Sequence, residues 1–319
     1  MKTKPKPSYR IRNWSEYDAA LKQRGSLTFW IDEAVIVGWI NAQKSGRRGA
    51  SKHYSDGAIA LMATVQALFN LPGRQTEGFL EALFGLMGID LPVPDHSTLS
   101  RRIGKVAVEM PVAPSTGGIH VVVDSTGVKV YGEGEWKVRQ HGVDKRRTWR
   151  KLHVGVNEAT GEILAVVAST NNVSDDEAFD EAFADLLEAI DDEIEQVSGD
   201  GAYDKRKCYD EIAARGAKPT IPPRKNAARW QDDPETGEVH PRNQVLDRIE
   251  AVGRQQWKQE SGYHRRSLAE TTMFRFKTIF GGSLRRRRFD NQAVELFLKC
   301  AALNRMIQLG KPDSYKVED

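Results

Sequence analysis

The segment from Tyr263 to Lys277 sets one carboxylate among cations and an aromatic ring. Four of its side chains recur at intervals of three, four and seven residues: Tyr263, Arg266, Glu270 and Lys277. On a helix with about 3.6 residues per turn, these intervals return the side chains to roughly one face. A planar arginine fork binds phosphate through two hydrogen bonds, and a carboxylate supplies oxygen ligands to Mg²⁺. The stripe therefore combines groups suited to phosphate with a group suited to a metal ion.

An ordinary surface helix explains the same stripe without any site. In that interpretation Arg266 and Glu270 form an ion pair on a solvated helix face. Leu268, Phe274 and Phe276 are predicted to lie largely off the stripe, available for packing. The segment alone leaves both interpretations open, so residues elsewhere must separate them.

Two aspartates occupy places where an acid needs an explanation. Asp124 lies inside the β-branched run 119–131, which predicts a strand. A carboxylate among valines costs several kcal/mol unless it has a cation, a proton or strong donors. Asp200 comes directly after a second predicted strand, 194–198. Taken singly, Asp124 is also explained as a turn cap and Asp200 as an Asx-turn.

The order of strands and helices beyond residue 113 predicts an α/β domain. The first three strands, which are antiparallel with a hairpin between the last two, are predicted at 119–131, 152–157 and 163–169. A helix, a strand, a helix and a strand follow at 175–190, 194–198, 205–215 and 218–221, before the helix at Tyr263. This is the element order of the ribonuclease-H-like, retroviral-integrase-like fold, whose first and fourth strands are neighbours. We therefore expect Asp124 and Asp200 to converge, with Glu270 carried over them.

Three converging carboxylates suit divalent metal ions. Mg²⁺ takes carboxylate and water oxygens in octahedral geometry. Two such ions about 3.5–4 Å apart activate an attacking oxygen and stabilise a leaving oxygen at phosphorus. We predict that Asp124, Asp200 and Glu270 are the catalytic residues and the metal ligands.

Residues 14–112 are predicted to form a helical DNA-binding domain. Apolar residues at helical spacing predict a buried helix at 56–71 and another helix at 76–87. A turn at 88–94, followed by a helix that Ser97 caps, predicts a helix-turn-helix. The side chains expected to contact DNA there are Thr98, Ser100, Arg101 and Arg102. A capped surface helix in an ordinary helical bundle would carry the same residue types, so this alternative stays open.

A shift in composition divides the chain. Residues 110–118 are rich in Pro and Gly, and we place the domain boundary within them. The predicted organisation is a disordered basic arm at 1–13, the helical domain at 14–112, a catalytic domain at 113–310 with an insertion at about 222–262, and a tail at 311–319.

Composition excludes several classes of protein. The 319 residues are 39% hydrophobic, which is enough to build ordinary cores, and the net charge is +3. Cys208 and Cys300 stand far apart, which indicates buried free thiols and neither a disulfide framework nor a zinc site. The basic N-terminus lacks an apolar h-region, and no apolar run approaches the roughly 20 residues that span a bilayer. We expect a cytoplasmic protein without a membrane partner.

The three acids and the Tyr263 stripe together resemble the DDE transposases of bacterial insertion sequences, in the branch with a Tyr-Arg-Glu-Lys signature. Three further runs are similar to the insertion sequence 5 family in particular: residues 124–137, 147–153 and 200–204. The resemblance covers about residues 50–310, and every signature position is filled. It implies a mobile-element transposase that recombines DNA and has no small-molecule substrate.

The resemblance also implies a mechanism that uses two Mg²⁺ ions, for which Mn²⁺ substitutes, held by Asp124, Asp200 and Glu270. Water activated by metal would cut at the terminal inverted repeats, which the N-terminal domain binds. The freed 3′-hydroxyl would join target DNA by transesterification. Because two ends must be joined, a homodimer or larger assembly on double-stranded DNA is expected. The protein is expected in the bacterial cytoplasm, associated with the nucleoid.

The catalytic domain carries further predicted DNA contacts. The signature assigns the phosphates of the element end to Tyr263, Arg266 and Lys277. Basic stretches are expected to hold the DNA backbone in a salt-dependent manner through Lys137, Arg147, Lys151, Arg286 and Arg287. Trp136 is predicted to stack on a displaced base, with hairpin packing as its alternative.

Two other functions fit the same residues. A ribonuclease-H-like nuclease would cut DNA without joining it. A transposase-derived regulator would bind DNA without cutting it, although the intact carboxylates argue against that function.

Overall fold

The computed structural model describes residues 8–42, 52–130, 149–170, 176–232 and 237–317, without the side chains of residues 176–178. The chain divides into two compact units, Met1–Val106 with Ala302–Asp319, and Ala107–Ala301. The division lies shortly before the Pro- and Gly-rich segment in which the composition suggests it. The grouping of the C-terminal residues with the N-terminal unit has no signal in the composition.

The first unit is mainly helical. Its helices are α1 (Trp14–Gln23), α2 (Leu27–Trp30), α3 (Glu33–Val37), α4 (Asp56–Leu68), α5 (Gly73–Met87) and α6 (His96–Arg102). The Ser55 hydroxyl accepts a hydrogen bond from the Ala58 amide and so caps α4. The rings of Trp39 and Phe84 are buried edge to face, with their centroids 5.1 Å apart.

Two short strands correct the predicted disorder at both ends of the chain. Strand β1 (Tyr9–Ile11) pairs antiparallel with β8 (Ser314–Lys316), with Tyr9 opposite Lys316. The Arg12 guanidinium lies over the Tyr315 ring, 5.0 Å from its centroid. The prediction is wrong for these residues because each segment is polar alone and is ordered by pairing with a segment far away in sequence.

The second unit is built on a mixed sheet. Its strands are β2 (Ile119–Val130), β3 (Trp149–Asn157), β4 (Ile163–Thr170), β5 (Ile194–Ser198) and β6 (Lys218–Thr220), in the order β4-β3-β2-β5-β6. β3 is antiparallel to β2 and to β4, whereas β5 is parallel to both β2 and β6. A short strand, β7 (Ser283–Leu284), pairs with the end of β2. The first and fourth strands of this unit are therefore neighbours, as predicted, and the arrangement is consistent with a ribonuclease-H-like fold.

The described residues after β4 also form helices, and the first, second and fifth of these pack on strands of the sheet. The helices are α7 (Asp176–Glu188), α8 (Arg206–Ala214), α9 (Pro241–Val252), α10 (Arg254–Glu260), α11 (Ser267–Phe280) and α12 (Phe289–Leu309). Val121 and Val123 share one core with Leu186 of α7 and Ile212 of α8. The predicted insertion includes two helices, α9 and α10. Within the described residues no helix is both long and apolar enough to cross a membrane.

The two cysteines are free and buried, which confirms the prediction from their spacing. Burial raises the pKa of the Cys208 thiol to about 12. A thiol held in its neutral form is a poor nucleophile, so packing explains this cysteine.

Candidate active site

Sheet register brings Asp124 and Asp200 to the same level of two neighbouring strands. Val122 on β2 lies beside Ser198, the last residue of β5. Asp124 and Asp200 each follow two residues later, so they continue from a matched pair. Because side chains alternate along a strand, Asp124 and Val122 project from the face opposite Val121 and Val123. The register therefore places the two aspartates at the same level, near the end of β5.

Asp124 is half-buried and lies among like charges. Its Oδ1 accepts a hydrogen bond of 2.8 Å from the Ser125 amide. Burial raises the pKa of the Asp124 carboxyl, and the negative charges of Asp200 and Glu270 raise it further, while the Ser125 bond and Arg266 act in the opposite direction. All three predicted acids thus share one electrostatic neighbourhood.

Asp200 lies at the first turn after β5. It caps the 3₁₀ helix Gly201–Tyr203, and its Oδ1 accepts a hydrogen bond of 2.8 Å from the Ala202 amide. This is the Asx-turn of the alternative interpretation, but the turn also holds Asp200 beside Asp124. The local hydrogen bond and the predicted site are therefore compatible.

The Tyr263 stripe is not one continuous α-helix. Tyr263–Arg266 forms a 3₁₀ turn, and α11 begins at Ser267, so only Glu270 and Lys277 of the stripe lie on the α-helix. The Arg266 guanidinium donates to Glu270 Oε1 at 2.5 Å and lies 5.7 Å from the centroid of the Tyr263 ring. The ion pair of the alternative interpretation is therefore present.

The two partners of this ion pair differ in exposure. The side chain of Arg266 is 20% exposed and that of Glu270 is 54% exposed.

Phe274 was predicted to pack, but it is 70% exposed on α11 and the prediction is wrong. Its position four residues after Glu270 places it close to the same helix face.

The donors present fit a divalent metal ion in chemistry, although they are not gathered into a ligand set. Among the described residues, no group of three or more His, Cys, Asp and Glu side chains is close enough together to hold a metal ion. Glu270 is bound to Arg266 instead. Burial, and after it the charges of Asp200 and Glu270, raises the pKa of Asp124, and a divalent cation would neutralise these charges.

The other predicted DNA contacts in the second unit are scattered. Lys277 and Arg287 are exposed, whereas Lys151 and Arg286 are half-buried. Burial lowers the pKa of the Arg286 guanidinium, and its backbone amide donates to Glu295. Trp136, Lys137 and Arg147 lie outside the described residues.

Helix α6 of the first unit differs in detail from the prediction. Asp95, and not Ser97, is its N-cap, since Asp95 Oδ1 accepts hydrogen bonds from the Ser97 and Thr98 amides at 2.9 Å. The hydrogen bonds of the cap hold the pKa of the Asp95 carboxyl far below its usual range. The aspartate is the better cap because its second oxygen also accepts from the Thr98 hydroxyl, at 2.7 Å.

At least three of the four predicted contacts on α6 have partners within the protein, since Arg101 Nη2 donates to the Ser97 and Thr98 hydroxyls at 3.1 Å and 3.3 Å. Thr98 bonds to the cap, and Arg102 donates to the Tyr54 carbonyl oxygen and pairs with Asp56. Ser100 and Arg101 are exposed. Their role in DNA binding stays a prediction.

Sequence reasoning did not identify Tyr203 as a neighbour of the site. Its hydroxyl is buried, and its pKa is raised by burial and by the charges of Asp124 and Asp200. The ring is fixed against Phe179 and Phe183, with centroids 5.0 Å and 5.4 Å away. The short spacing from Asp200 was the available signal.

A mixed α/β unit with two aspartates level on neighbouring strands, and a glutamate on a helix beside them, is the arrangement expected of a DDE transposase. Two family models, both described as "Transposase DDE domain", match residues 22–133 and 115–305. The second match covers more than half of the chain, which therefore belongs to the DDE-domain transposases.

Among the solved structures similar to this chain is a transposase complex. It is described as a cryo-EM structure of the piggyBac transposase synaptic complex with hairpin DNA. The likeness covers 95% of this chain and 77% of that chain, with 10% identity and a TM-score of 0.37. A likeness of this size supports no inference about shared detail.

Proposed function

We propose that this chain is the transposase of an insertion sequence, of the insertion sequence 5 type with the Tyr-Arg-Glu-Lys signature, and that it cuts and joins DNA at Asp124, Asp200 and Glu270. The observation that carries the proposal is the register of β2 and β5, which sets Asp124 and Asp200 at the same level of neighbouring strands, while Glu270 lies on α11. Membership in the DDE transposases supports the same chemistry.

Asp124, Asp200 and Glu270 are the residues that would hold Mg²⁺ or Mn²⁺, as one or two ions. When bound there, a divalent ion lowers the pKa of a coordinated water and neutralises charge on phosphate. Glu270 must first leave Arg266 to take part. We infer that DNA phosphate separates the two, because the arginine fork binds phosphate bidentately and frees the carboxylate.

The reaction begins with water attacking the phosphodiester at the element end, which breaks the bond to the leaving strand and frees a 3′-hydroxyl. That hydroxyl then attacks a target phosphodiester, forming one ester bond as another breaks. Arg266 and Lys277 bind the phosphates of the end, and the Tyr263 hydroxyl donates beside them. The assembly that holds two ends is a homodimer or larger.

A strand-transfer assay tests this function. Labelled DNA from the flanks of the gene, searched first for short inverted repeats, is incubated with the protein, Mg²⁺ and a target plasmid. We expect nicking at the repeat and covalent joining of its 3′ end to the plasmid. Cleavage without joining would favour the nuclease. Binding without cleavage would favour the regulator.

The role of α6 in end recognition needs a separate test. Arg101→Ala should weaken binding to the repeats several-fold, by about 1 kcal/mol or more for a lost DNA contact. Arg102 is unsuitable because its pairing with Asp56 and Tyr54 stabilises the fold. An unchanged footprint with Arg101→Ala would assign recognition to another element.

A further inference from the structure

A buried carboxylate stands in the same turn as Asp200. Asp204 directly follows the 3₁₀ helix that Asp200 caps, and its side chain is 1% exposed. It accepts hydrogen bonds from Arg242 Nε at 2.5 Å and Nη2 at 3.0 Å, and from the Arg224 amide at 3.2 Å. This bidentate pairing fixes the direction of the carboxylate as well as its charge.

Arg242 brings three parts of the chain together. It lies in the first turn of α9, inside the insertion, and its side chain is 5% exposed. Besides Asp204, it donates from Nη1 to the Ala228 carbonyl oxygen at 2.8 Å. Its guanidinium also lies 4.1 Å from the centroid of the Trp230 ring. Lysine cannot reproduce this set, since it has neither a planar fork nor a planar face for stacking.

The next residue of α9, Asn243, both donates hydrogen bonds to residues 230–232 and accepts one from them. Asn243 is fully buried. Its Nδ2 donates to the Trp230 carbonyl oxygen at 2.8 Å and to Asp232 at 2.7 Å, while its Oδ1 accepts from the Trp230 amide at 3.0 Å. Residues 228–232 and the start of α9 are therefore joined by a network of hydrogen bonds that centres on two buried polar side chains.

The C-terminal end of the insertion contacts Tyr263, the first residue of the signature that is proposed to bind phosphate. Trp257 of α10 is buried, and its ring centroid lies 5.9 Å from that of Tyr263. Lys258 lies over the Tyr263 ring at 5.0 Å. Gln196 of β5, the strand that leads to Asp200, donates to the Ser261 carbonyl oxygen at 3.2 Å. The insertion thus contacts both the turn of Asp200 and the residue that begins the signature.

We propose that Arg242 and Asp204 are positioning residues for the transposition site: their buried pair fixes the turn that presents Asp200 and, through α9 and α10, the place of Tyr263. The inference rests on the proposed function, because it takes Asp200 as a metal ligand. In this proposal the insertion fixes the distance between Asp200, which follows β5, and Tyr263, which begins the signature. Neither residue needs to touch DNA or metal.

Mn²⁺ binding to the DNA-free protein tests the proposal by calorimetry. Arg242→Lys keeps the charge but loses the fork and the stacking, and it should weaken Mn²⁺ binding roughly tenfold, as loss of supporting contacts around metal ligands does. Hydrogen exchange in residues 196–204 and 263–266 should rise in the same variant. A pair that only stabilises the fold would leave the affinity of the folded protein unchanged.

The insertion offers a matched control. Arg229 pairs with Asp247 in the same segment, but the two side chains are 52% and 48% exposed. Arg229→Lys should change Mn²⁺ affinity by less than about twofold, because exposed ion pairs contribute little. If Arg242→Lys does not fold, Asp204→Asn replaces it, since the amide keeps the shape and one acceptor oxygen, while it removes the charge and replaces the second acceptor by a donor that cannot pair with Arg242.

The outcomes separate this inference from the proposed function. Wild-type Mn²⁺ affinity and wild-type exchange in folded Arg242→Lys or Asp204→Asn would overturn the positioning role alone. If wild-type protein and Asp200→Asn bind Mn²⁺ equally, the metal site itself fails, and the proposed function fails with it.

Discussion

The acids on the sheet and the acid on the helix are positioned by different means. Asp124 and Asp200 are set by backbone register, since Val122 and Ser198 are paired and each aspartate follows two residues later. Glu270 lies on α11, is more than half exposed and is bound to Arg266. Backbone register therefore sets the level of two of the three acids, whereas the third is held by a side-chain contact with Arg266. Substitutions that act on one side only can break or sharpen this contrast.

The largest difference is expected between Asp124 and Glu270 in metal binding without DNA. Asp124→Asn should remove Mn²⁺ binding to the free protein, whereas Glu270→Gln should leave it within about threefold, because Glu270 is held by Arg266 and does not reach the metal. Both variants should lose cleavage by about 10³-fold or more, as expected when a catalytic metal ligand is removed. Calorimetry and the labelled-end assay measure the two quantities. Equal loss of DNA-free binding in the two variants would show that Glu270 is already a ligand, and the contrast would not hold.

Arg266→Ala should separate the two roles of the arginine. Cleavage should fall roughly 10²–10³-fold, because a phosphate donor is lost. DNA-free Mn²⁺ affinity should rise, because Glu270 is released to join the aspartates. A fall in both quantities would contradict the release of Glu270.

Acid should weaken the sheet through His153. This β3 residue is buried, and burial lowers its pKa from 6.5 to about 4, with Lys151 acting in the same direction. The unfolded chain binds a proton between these values while the folded chain does not, so stability is intact above pH 6.5 and is lost as the pH falls through the interval. At pH 5 the loss from this residue is about 2 kcal/mol. Chemical denaturation should show this slope in the wild type and a shallower one in His153→Gln, and equal slopes would remove His153 as the cause.

Lys277→Ala should have the smallest effect. Lys277 is exposed on α11. A single contact between its ammonium and a phosphate adds modestly to the affinity for DNA. Affinity for end DNA should fall a few-fold, and the slope of log affinity against log salt should decrease by about 1. Mn²⁺ binding should not change. A salt slope equal to that of the wild type would show that Lys277 does not meet phosphate.

Much of the second unit could be predicted because its signals are local. The β-branched run around Asp124 and the apolar periodicity of α7 specify a strand and a helix without reference to the rest of the chain. The three acids were chosen as candidates because each is a carboxylate inside a predicted strand, directly after one, or on the predicted helix. The charges of Asp200 and Glu270 raise the pKa of Asp124, but the catalytic role of these three acids stays a prediction.

The misses have three separate causes: a pairing partner distant in sequence, competition between neighbouring caps, and the rotation of a helix. Strand β1 is ordered by β8, although each segment alone is polar and short. Asp95 outcompetes Ser97 as the cap of α6 because two carboxylate oxygens accept more donors than one hydroxyl. Phe274 faces solvent because of how α11 is rotated against the sheet, and apolar character alone does not fix that rotation.

The sequence by itself determined most elements of the second unit, the choice of three candidate acids and the presence of groups suited to phosphate around Glu270, because propensity, periodicity and residue chemistry are local properties. Only the tertiary structure decided that Arg266 holds Glu270, and that Arg242 holds Asp204 within the turn of Asp200. An arginine can pair with any carboxylate in reach, and reach is set by the packing of whole elements. The chemistry of the site could therefore be predicted from the order of residues, while its state of assembly depends on the fold.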